Sequence, residues 1–360
     1  MSRLVSSVGY VALSVASFAG VAQLQQPLVP WPEGFGLPAK MEYFVQHKDE
    51  FDVLYVGTSR FVRGVDNKLI DERLAERGIE VRSFNMAVGG MGSFEQDYLL
   101  HWALSHRPAR LKWIFYEGGP IGMGVRDDHI FRNPDNTWSE REVYWHTPIE
   151  TWRVLGAIAR LPVTTWRKLE LAVTHLQLFG WKFVNYGRGG SFLRERRKSP
   201  RELEQWDETM VELEEARGHQ GLETATRGKG SRERKELLSD PAAFTARMAA
   251  IPAENRANVP LEEVNVELYH AQFREARAHG VRLVYVLAAQ YESSPERLRL
   301  HEAGVIPELL NYNDPERYPE LFRIENRFDK GHLNRQGVVL FSESLARDIG
   351  DLMEAERGGI

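Results

Sequence analysis

Short apolar runs alternate with stretches of helical spacing in the N-terminal third of the chain. The runs at 51–56, 81–88 and 111–116 are rich in Val, Phe and Tyr and predict three buried strands. Between them, residues 66–77 and 94–106 carry apolar side chains at helical spacing and predict two helices. Alternating strands and helices are typical of a parallel sheet with crossover helices, so we expect an α/β fold.

The same alternation resumes in the C-terminal part of the chain. The spacing predicts a helix over 264–276, a strand at 281–288 and a helix over 295–303. The run 306–310 predicts a fifth strand, and the apolar positions of 337–353 predict a closing helix. Both parts are therefore expected to contribute strands to one sheet.

The segment between these two parts does not follow the alternation. Residues 138–186 are rich in Trp and Leu at helical spacing and predict a helical insertion, packed either on the body of the protein or on a membrane-side partner. Residues 188–240 are dominated by Arg, Glu, Lys and Gly, which predicts a solvated helix and a mobile loop with little buried surface. A basic cluster in this stretch is expected to be a solvated face: Arg194, Arg196, Arg197 and Lys198.

The first two dozen residues have the hydropathy of a targeting segment. Leu4 to Leu24 contains no charge, follows the single basic residue Arg3, and is about long enough to cross a bilayer core. Three alternatives stay open: a signal anchor, a signal peptide cleaved after the small residues Gly20-Val21-Ala22, and a buried helix. The first two place the rest of the chain outside the cytoplasm. The expected organisation is a signal segment at 1–24, a first α/β half at 25–120, a helical and charged insertion at 121–260 and a second α/β half at 261–360.

Composition and charge exclude several classes of function. The 46 Lys and Arg residues face 51 Asp and Glu residues, for a net charge of -5, so no overall positive field favours nucleic-acid binding. The chain has no cysteine, which excludes disulfide frameworks, Cys-ligated zinc, iron–sulfur clusters and thiol nucleophiles.

Candidate chemistry lies in the loops that follow the predicted strands, where parallel sheets bind ligands. Gly57-Thr58-Ser59-Arg60 places a serine at a strand-to-helix turn, where it either acts as a nucleophile or only caps the helix. Asn85 to Ser93 is a glycine-containing loop that lets the backbone approach a ligand, although its glycines also suit plain turns. Asp329 and His332 have the spacing of a carboxylate that orients an imidazole base, or of a turn with a surface histidine.

Taken in order along the chain, these three motifs resemble those of the SGNH/GDSL hydrolase superfamily. The resemblance covers roughly residues 52–120 and 261–354 and implies a flavodoxin-like, three-layer α/β fold around a parallel sheet, without a cofactor. It implies that Ser59 is the nucleophile and first oxyanion donor, His332 the base and Asp329 its partner. Gly90 would be the second oxyanion donor, and Asn85 stands five residues before it, as in the family.

The third family block departs from the pattern. Where the family usually has G-x-N-D, this chain has Glu117-Gly118-Gly119-Pro120, so the asparagine oxyanion donor is missing. With Asn85 and Gly90, Glu117 is expected to lie at the substrate site. Losing one oxyanion donor typically costs about two to three orders of magnitude in rate, so we expect weak general esterase activity.

An apolar N-terminal segment, the altered third block and the D-x-x-H-L-N ending are similar to the DltD-like and alginate O-acetylation type of SGNH proteins. This resemblance implies an O-acetyltransferase or esterase acting on an extracytoplasmic polysaccharide or cell-envelope polymer, beside a membrane-bound O-acyltransferase partner. A catalytically weak accessory subunit of such a system is the main alternative. A hydrolase with metal ligands at Asp329 and His332 is a third, although no H-x-H or H-E-x-x-H motif supplies the rest of such a site.

Overall fold

The computed structural model of the protein describes residues 2–32, 34, 36–119, 139–222 and 229–358. The chain divides into two compact units, which are described separately. The helical unit comprises Met1–Pro38 and Gly124–Glu208, and the α/β unit comprises Ala39–Met123 and Thr209–Ile360. The predicted boundary between residues 120 and 121 and the predicted helix start at Trp138 lie outside the described residues.

The α/β unit is built on a parallel sheet. Its five strands in the described residues are β1 (Val53–Val56), β2 (Ser83–Asn85), β3 (Trp113–Tyr116), β4 (Arg282–Leu287) and β5 (Leu309–Asn311). Their order is β2-β1-β3-β4-β5, and every neighbouring pair is parallel. The predicted parallel α/β sheet, with strands from both ends of the chain, is confirmed. The carboxyl ends of all five strands meet at one edge, where ligands bind in doubly wound sheets.

Helices make up most of the remaining described chain. In chain order they are α1 (Ser2–Gln25), α2 (Leu37–His47), α3 (Ser59–Gly64), α4 (Asn67–Ala75), α5 (Ser93–Ser105), α6 (Glu140–Tyr144), α7 (Pro148–Arg160), α8 (Thr165–Phe183), α9 (Gly189–Glu195), α10 (Pro200–Ala216), α11 (Lys229–Ser239), α12 (Pro241–Asn255), α13 (Glu263–Ala278), α14 (Pro295–Glu302) and α15 (Arg335–Gly358).

Helices cover both faces of the sheet because its strands are apolar on both sides. On one face, α15 packs against α3 and α4, and all three contribute to a core with alternate strand residues such as Val53 and Phe115. On the other face, α13 packs on β4, where the ring of Tyr269 lies 5.0 Å from that of Tyr285.

The charged stretch before α13 is better packed than its composition indicates. Leu213 of α10 and Leu237 of α11 are buried, and Leu237 joins the main core of the α/β unit. Phe244, Met248 and Ile251 of α12 join the same core. The other described side chains of α10 and α11 are exposed or half-buried, so these helices are largely solvated, and one apolar side chain of each packs inward.

The helical unit contains α1 and α6 to α9. The buried face of α8 carries Leu171, His175 and Leu178, and α7 packs beside it. The predicted helical character of the Trp-rich segment is therefore seen in α6, α7 and α8. Among the described residues, no helix has both the length and the apolar content needed to cross a membrane.

Candidate active site

The loop after β1 places Ser59 at the carboxyl edge of the sheet. Thr58 caps α3 with its side chain, and Ser59 is the first residue of that helix. Gly57 is required here, because a Cβ would lie 2.7 Å from Glu117 Oε2 and 2.9 Å from Phe61 Cγ. The chain can therefore turn from strand to helix only with glycine at this position, and the turn leaves Ser59 partly exposed.

Asp329 and His332 lie in a tight turn just before α15. The turn is closed by an antiparallel bridge between Arg327 and Leu333, and Phe328 donates its backbone N–H to the His332 carbonyl at 2.9 Å. Asp329 Oδ1 accepts the backbone N–H groups of Gly331 at 2.7 Å and His332 at 2.8 Å. These bonds fix the carboxylate relative to the imidazole, as the D-x-x-H spacing predicts.

The structure brings the three predicted triad residues together. His332 Nε2 lies 2.8 Å from Ser59 Oγ, although the two residues are separated by 273 positions in the chain. His332 Nδ1 lies 2.9 Å from Asp329 Oδ1 and 3.0 Å from Oδ2. A carboxylate can only accept, so Nδ1 carries the proton and Nε2 is left to accept the Ser59 hydroxyl proton.

The environment of Asp329 favours its charged form. Burial alone would raise the pKa of this carboxyl, but hydrogen bonds from the His332 ring and from two backbone N–H groups lower it below its ordinary value. Asp329 is buried, whereas Ser59 and His332 are partly exposed. The site therefore holds a buried anion behind an imidazole that solvent or substrate can reach.

The other two residues of the predicted oxyanion block lie at the end of β2 and in the loop that follows it. Gly90 is exposed at the same sheet edge and has a φ of 68°, a conformation that favours glycine. Asn85 is fully buried, and its amide donates to the carbonyls of Phe61 and Val65, both at 3.0 Å. Its Oδ1 accepts the Ala87 N–H at 3.2 Å, so Asn85 ties this loop to α3 rather than facing solvent.

Glu117 holds the turn that carries Ser59. Its Oε2 accepts the backbone N–H of Thr58 at 2.7 Å and the Thr58 hydroxyl at 2.8 Å, while Oε1 pairs with Arg60 Nε. Burial raises the pKa of Glu117, but Arg60 and the two Thr58 bonds outweigh it and lower the pKa. Glu117 is thus an anion committed to residues on either side of Ser59.

Three buried cations that the sequence analysis missed hold the site loops through backbone carbonyls. Lys40 Nζ donates to the carbonyls of Asn85, Ala87 and Gly218 at 2.8, 2.7 and 2.7 Å. Arg297 donates to the carbonyls of Glu117 and Gly118, both at 2.9 Å. Arg327 donates to the Lys330 carbonyl at 2.6 Å, within the turn of Asp329 and His332.

Burial perturbs all three cations. It lowers the pKa of Lys40 well below its ordinary value, lowers that of Arg297, and lowers that of Arg327 to about 10. Local sequence carries no signal for Lys40 and Arg297, because carbonyl groups from distant segments converge on each of them. Arg327 combines the nearby Lys330 carbonyl with the distant Ala289 carbonyl, at 3.2 Å. Each cation serves a different loop, so the loops after β2 and β3 and the Asp329 turn are each fixed separately.

No protein-family model matches this chain, and no curated protein matches it at a significant level. The case for its function therefore rests on the geometry of Ser59, His332 and Asp329.

Proposed function

We propose that the protein is a serine enzyme that transfers or removes a small acyl group. The observation that carries the proposal is the hydrogen-bonded chain from Ser59 Oγ through the His332 ring to the buried Asp329. A nucleophile, its base and an orienting carboxylate in this arrangement form the constellation of serine acyl-transfer enzymes. Its position at the carboxyl edge of a sheet ordered β2-β1-β3-β4-β5 adds support.

In the proposed reaction, Ser59 Oγ attacks the acyl carbonyl while its proton moves to His332 Nε2. Asp329 stabilises the resulting imidazolium through Nδ1–H. The backbone N–H groups of Ser59 and Gly90 are assigned to the oxyanion of the tetrahedral intermediate. When the intermediate collapses, His332 returns the proton to the leaving oxygen and the acyl group remains on Ser59. His332 then takes the proton of an acceptor hydroxyl, whose oxygen attacks the acyl-Ser59 ester. When this second intermediate collapses, the acyl group stays on the acceptor and His332 returns the proton to Ser59 Oγ.

The resemblance to SGNH/GDSL hydrolases extends this proposal to a substrate and a place. We assign the chain to the SGNH-like fold, in the DltD-like and alginate O-acetylation type. Its substrate is then an acetyl group carried to or from an extracytoplasmic glycan, with a membrane-bound O-acyltransferase as partner. The three motif loops support this assignment, and Gly90 has a positive φ of 68° in the loop that follows β2.

One observation favours the alternative of a catalytically weak accessory subunit. The third block has Gly119 in place of the asparagine and so lacks its side-chain donor, while the Glu117 carboxylate is bound to Thr58 and Arg60 and cannot donate to an oxyanion. Transfer to a bound sugar in a partner complex is compatible with this weaker oxyanion site, and rapid general hydrolysis is not.

The test is covalent labelling of the purified protein with a fluorophosphonate, together with release of nitrophenol from a small activated acetyl ester. Wild type should label at Ser59, Ser59→Ala should not label, and His332→Ala should label far more slowly. Ser239→Ala, which changes an exposed serine of α11, should label as wild type does. Because the serine and its base act as a unit, the Ser59→Ala and His332→Ala effects should be strongly non-additive.

Two outcomes would count against the proposal. A folded Ser59→Ala protein with full activity would exclude the serine mechanism. A folded wild type with neither labelling nor ester turnover would favour the accessory subunit.

A further inference from the structure

The outer face of α8 is apolar along the whole helix. Taking about 100° per residue, five exposed or half-exposed apolar positions and Gly180 fall on a stripe roughly 100° wide and about 26 Å long. The apolar members are Trp166, Leu169, Val173, Leu176 and Phe183, all exposed to solvent. The buried face of the same helix, with Leu171 and Leu178, lies on the opposite side. A helix that is apolar on both sides has a second partner.

Helix α7, which packs beside α8, repeats this arrangement. Its buried positions include Val154, Ala157 and Ile158, whereas Ile149 and Trp152 lie on the opposite, solvent side. The most exposed members of this surface are Trp152 at 77%, Ile149 at 70% and Trp166 at 69%. We call the outer faces of α7 and α8 the tryptophan face. It is two helices wide and belongs to the helical unit alone.

The tryptophan face is joined to the N-terminal helix α1, which carries no charge after Arg3. Asn185, just after α8, donates to the Ala22 carbonyl of α1 at 2.6 Å, and Gln26 donates to the Lys182 carbonyl at 2.8 Å. Within the described side chains, α1 buries little of its apolar surface: Leu13, Phe18 and Leu24 are exposed. Two separate apolar surfaces of one unit therefore meet at the carboxyl ends of α1 and α8.

The charges around the tryptophan face are opposite in sign to the chain as a whole. Residues 148–183 contain five basic residues and two acidic ones, whereas the whole chain has a net charge of -5. The basic residues are Arg153, Arg160, Arg167, Lys168 and Lys182, and the acidic ones are Glu150 and Glu170. At about 100° per residue, Arg153 and Arg160 lie beside the α7 stripe, where a helix on an anionic bilayer places its basic residues. Arg167, Lys168 and Lys182 lie toward the inner side of α8, and Lys182 Nζ packs over the Tyr144 ring at 4.0 Å.

Contact with a lipid bilayer explains the exposed apolar surface and the basic residues near it better than contact with a second protein helix does. The alternating spacing of three and four residues along the α8 stripe would suit a coiled coil with a second helix. Such a coiled coil would be under three heptads long and would have Trp166 and Gly180 among its core positions, in place of the usual aliphatic residues. It would also leave the outer face of α7 uncovered. Tryptophan at the edge of an apolar surface with flanking Arg and Lys is typical of the membrane–water interface.

We infer that the tryptophan face docks into the interface of an anionic lipid bilayer, with α7 and α8 parallel to the membrane plane. The surface would hold the helical unit on the membrane independently of any crossing by α1. This inference does not rest on the serine chemistry, which labelling of Ser59 in solution tests separately.

The experiment is co-sedimentation of the full chain with vesicles of phosphatidylcholine and phosphatidylglycerol, using the double variant Val173→Asp with Leu176→Asp. Each change removes an apolar side chain that docking would bury in the bilayer and adds a negative charge. Binding to the vesicles should therefore fall roughly tenfold or more. The matched control is Val211→Asp on α10 of the α/β unit, since Val211 is 57% exposed and Val173 is 56% exposed. Circular dichroism and Ser59 labelling should be unchanged in all variants.

Brominated lipids separate docking of this face from attachment through α1 alone. Bromine near an indole quenches its fluorescence, so wild type should be quenched in brominated vesicles and the variant carrying both Trp152→Phe and Trp166→Phe should lose most of that quenching. Unquenched Trp152 and Trp166 in bound wild type would overturn the inference. So would equal vesicle binding by the Val173→Asp/Leu176→Asp protein, or a lipid-independent dimer that the same two substitutions dissociate.

Discussion

Replacing Asp329 by Asn should reverse the hydrogen bonding of His332 without changing the size of the side chain. Asp329 Oδ1 accepts the N–H groups of Gly331 at 2.7 Å and His332 at 2.8 Å, so the asparagine carbonyl must face these donors. The new NH₂ group then takes the place of Oδ2, 3.0 Å from His332 Nδ1. A donor at this position makes Nδ1 the acceptor and places the imidazole proton on Nε2, against Ser59.

The expected cost in rate is large and the cost in stability is small. An imidazole with its proton on Nε2 cannot take the Ser59 proton, which in triads of this type lowers the rate by about 10⁴. The two backbone bonds survive, so the free energy of unfolding should fall by only about 1–2 kcal/mol, for the lost charge-assisted bond.

The stability difference should itself depend on pH. Because the pKa of Asp329 is lowered in the folded protein, its ionised form stabilises the fold above the unfolded value of about 3.9. That contribution is lost as the pH falls through the lower, folded-state pKa. Wild type and Asp329→Asn should therefore converge in stability under strongly acidic conditions and differ fully near neutral pH.

Single-turnover acylation by an activated ester, followed by stopped flow, measures the rate, and urea unfolding measures the stability. Asp314→Asn is the matched control, because Asp314 Oδ1 also accepts two backbone N–H groups in a turn, at 3.0 and 3.2 Å, but orients no histidine. An Asp329→Asn protein that acylates at nearly the wild-type rate would refute the assigned tautomer and the role of Asp329.

Three further results are expected. Glu117→Gln should slow acylation about tenfold and destabilise the fold by about 1–2 kcal/mol, since an amide donor would face Arg60 Nε. Labelling kinetics and urea unfolding measure these two effects. An unchanged rate and an unchanged stability would show that Glu117 does not position Ser59. Phe244→Ala should destabilise the α/β unit by about 3–5 kcal/mol because Phe244 is buried in its main core, whereas an unchanged melting temperature would mean that α12 is dispensable. A topology reporter fused after the last residue should be active outside the cytoplasm, and activity only inside would remove the cell-envelope substrate.

The sequence by itself determined the parallel sheet and the three loops that carry the candidate site residues. Apolar runs bounded by glycine and polar residues encode buried parallel strands, and all such strands end at one edge of the sheet. Ser59, Asp329 and His332 could be selected because each lies in a loop at that edge or in a turn with recognisable spacing. These signals are local, so they are readable without knowing which segments pack together.

Only the tertiary structure decided which distant groups meet. The 2.8 Å contact between Ser59 and His332 depends on α15 packing against α3, which no local pattern specifies. The burial of Lys40 and Arg327 could not be predicted from the sequence either. A charged residue is expected to be exposed unless the fold brings carbonyl groups close enough to accept its hydrogen bonds. Helical spacing shows which face of a helix is apolar but not what covers that face. For this reason the sequence could not separate α12, which packs in the core, from α8, whose outer face remains exposed.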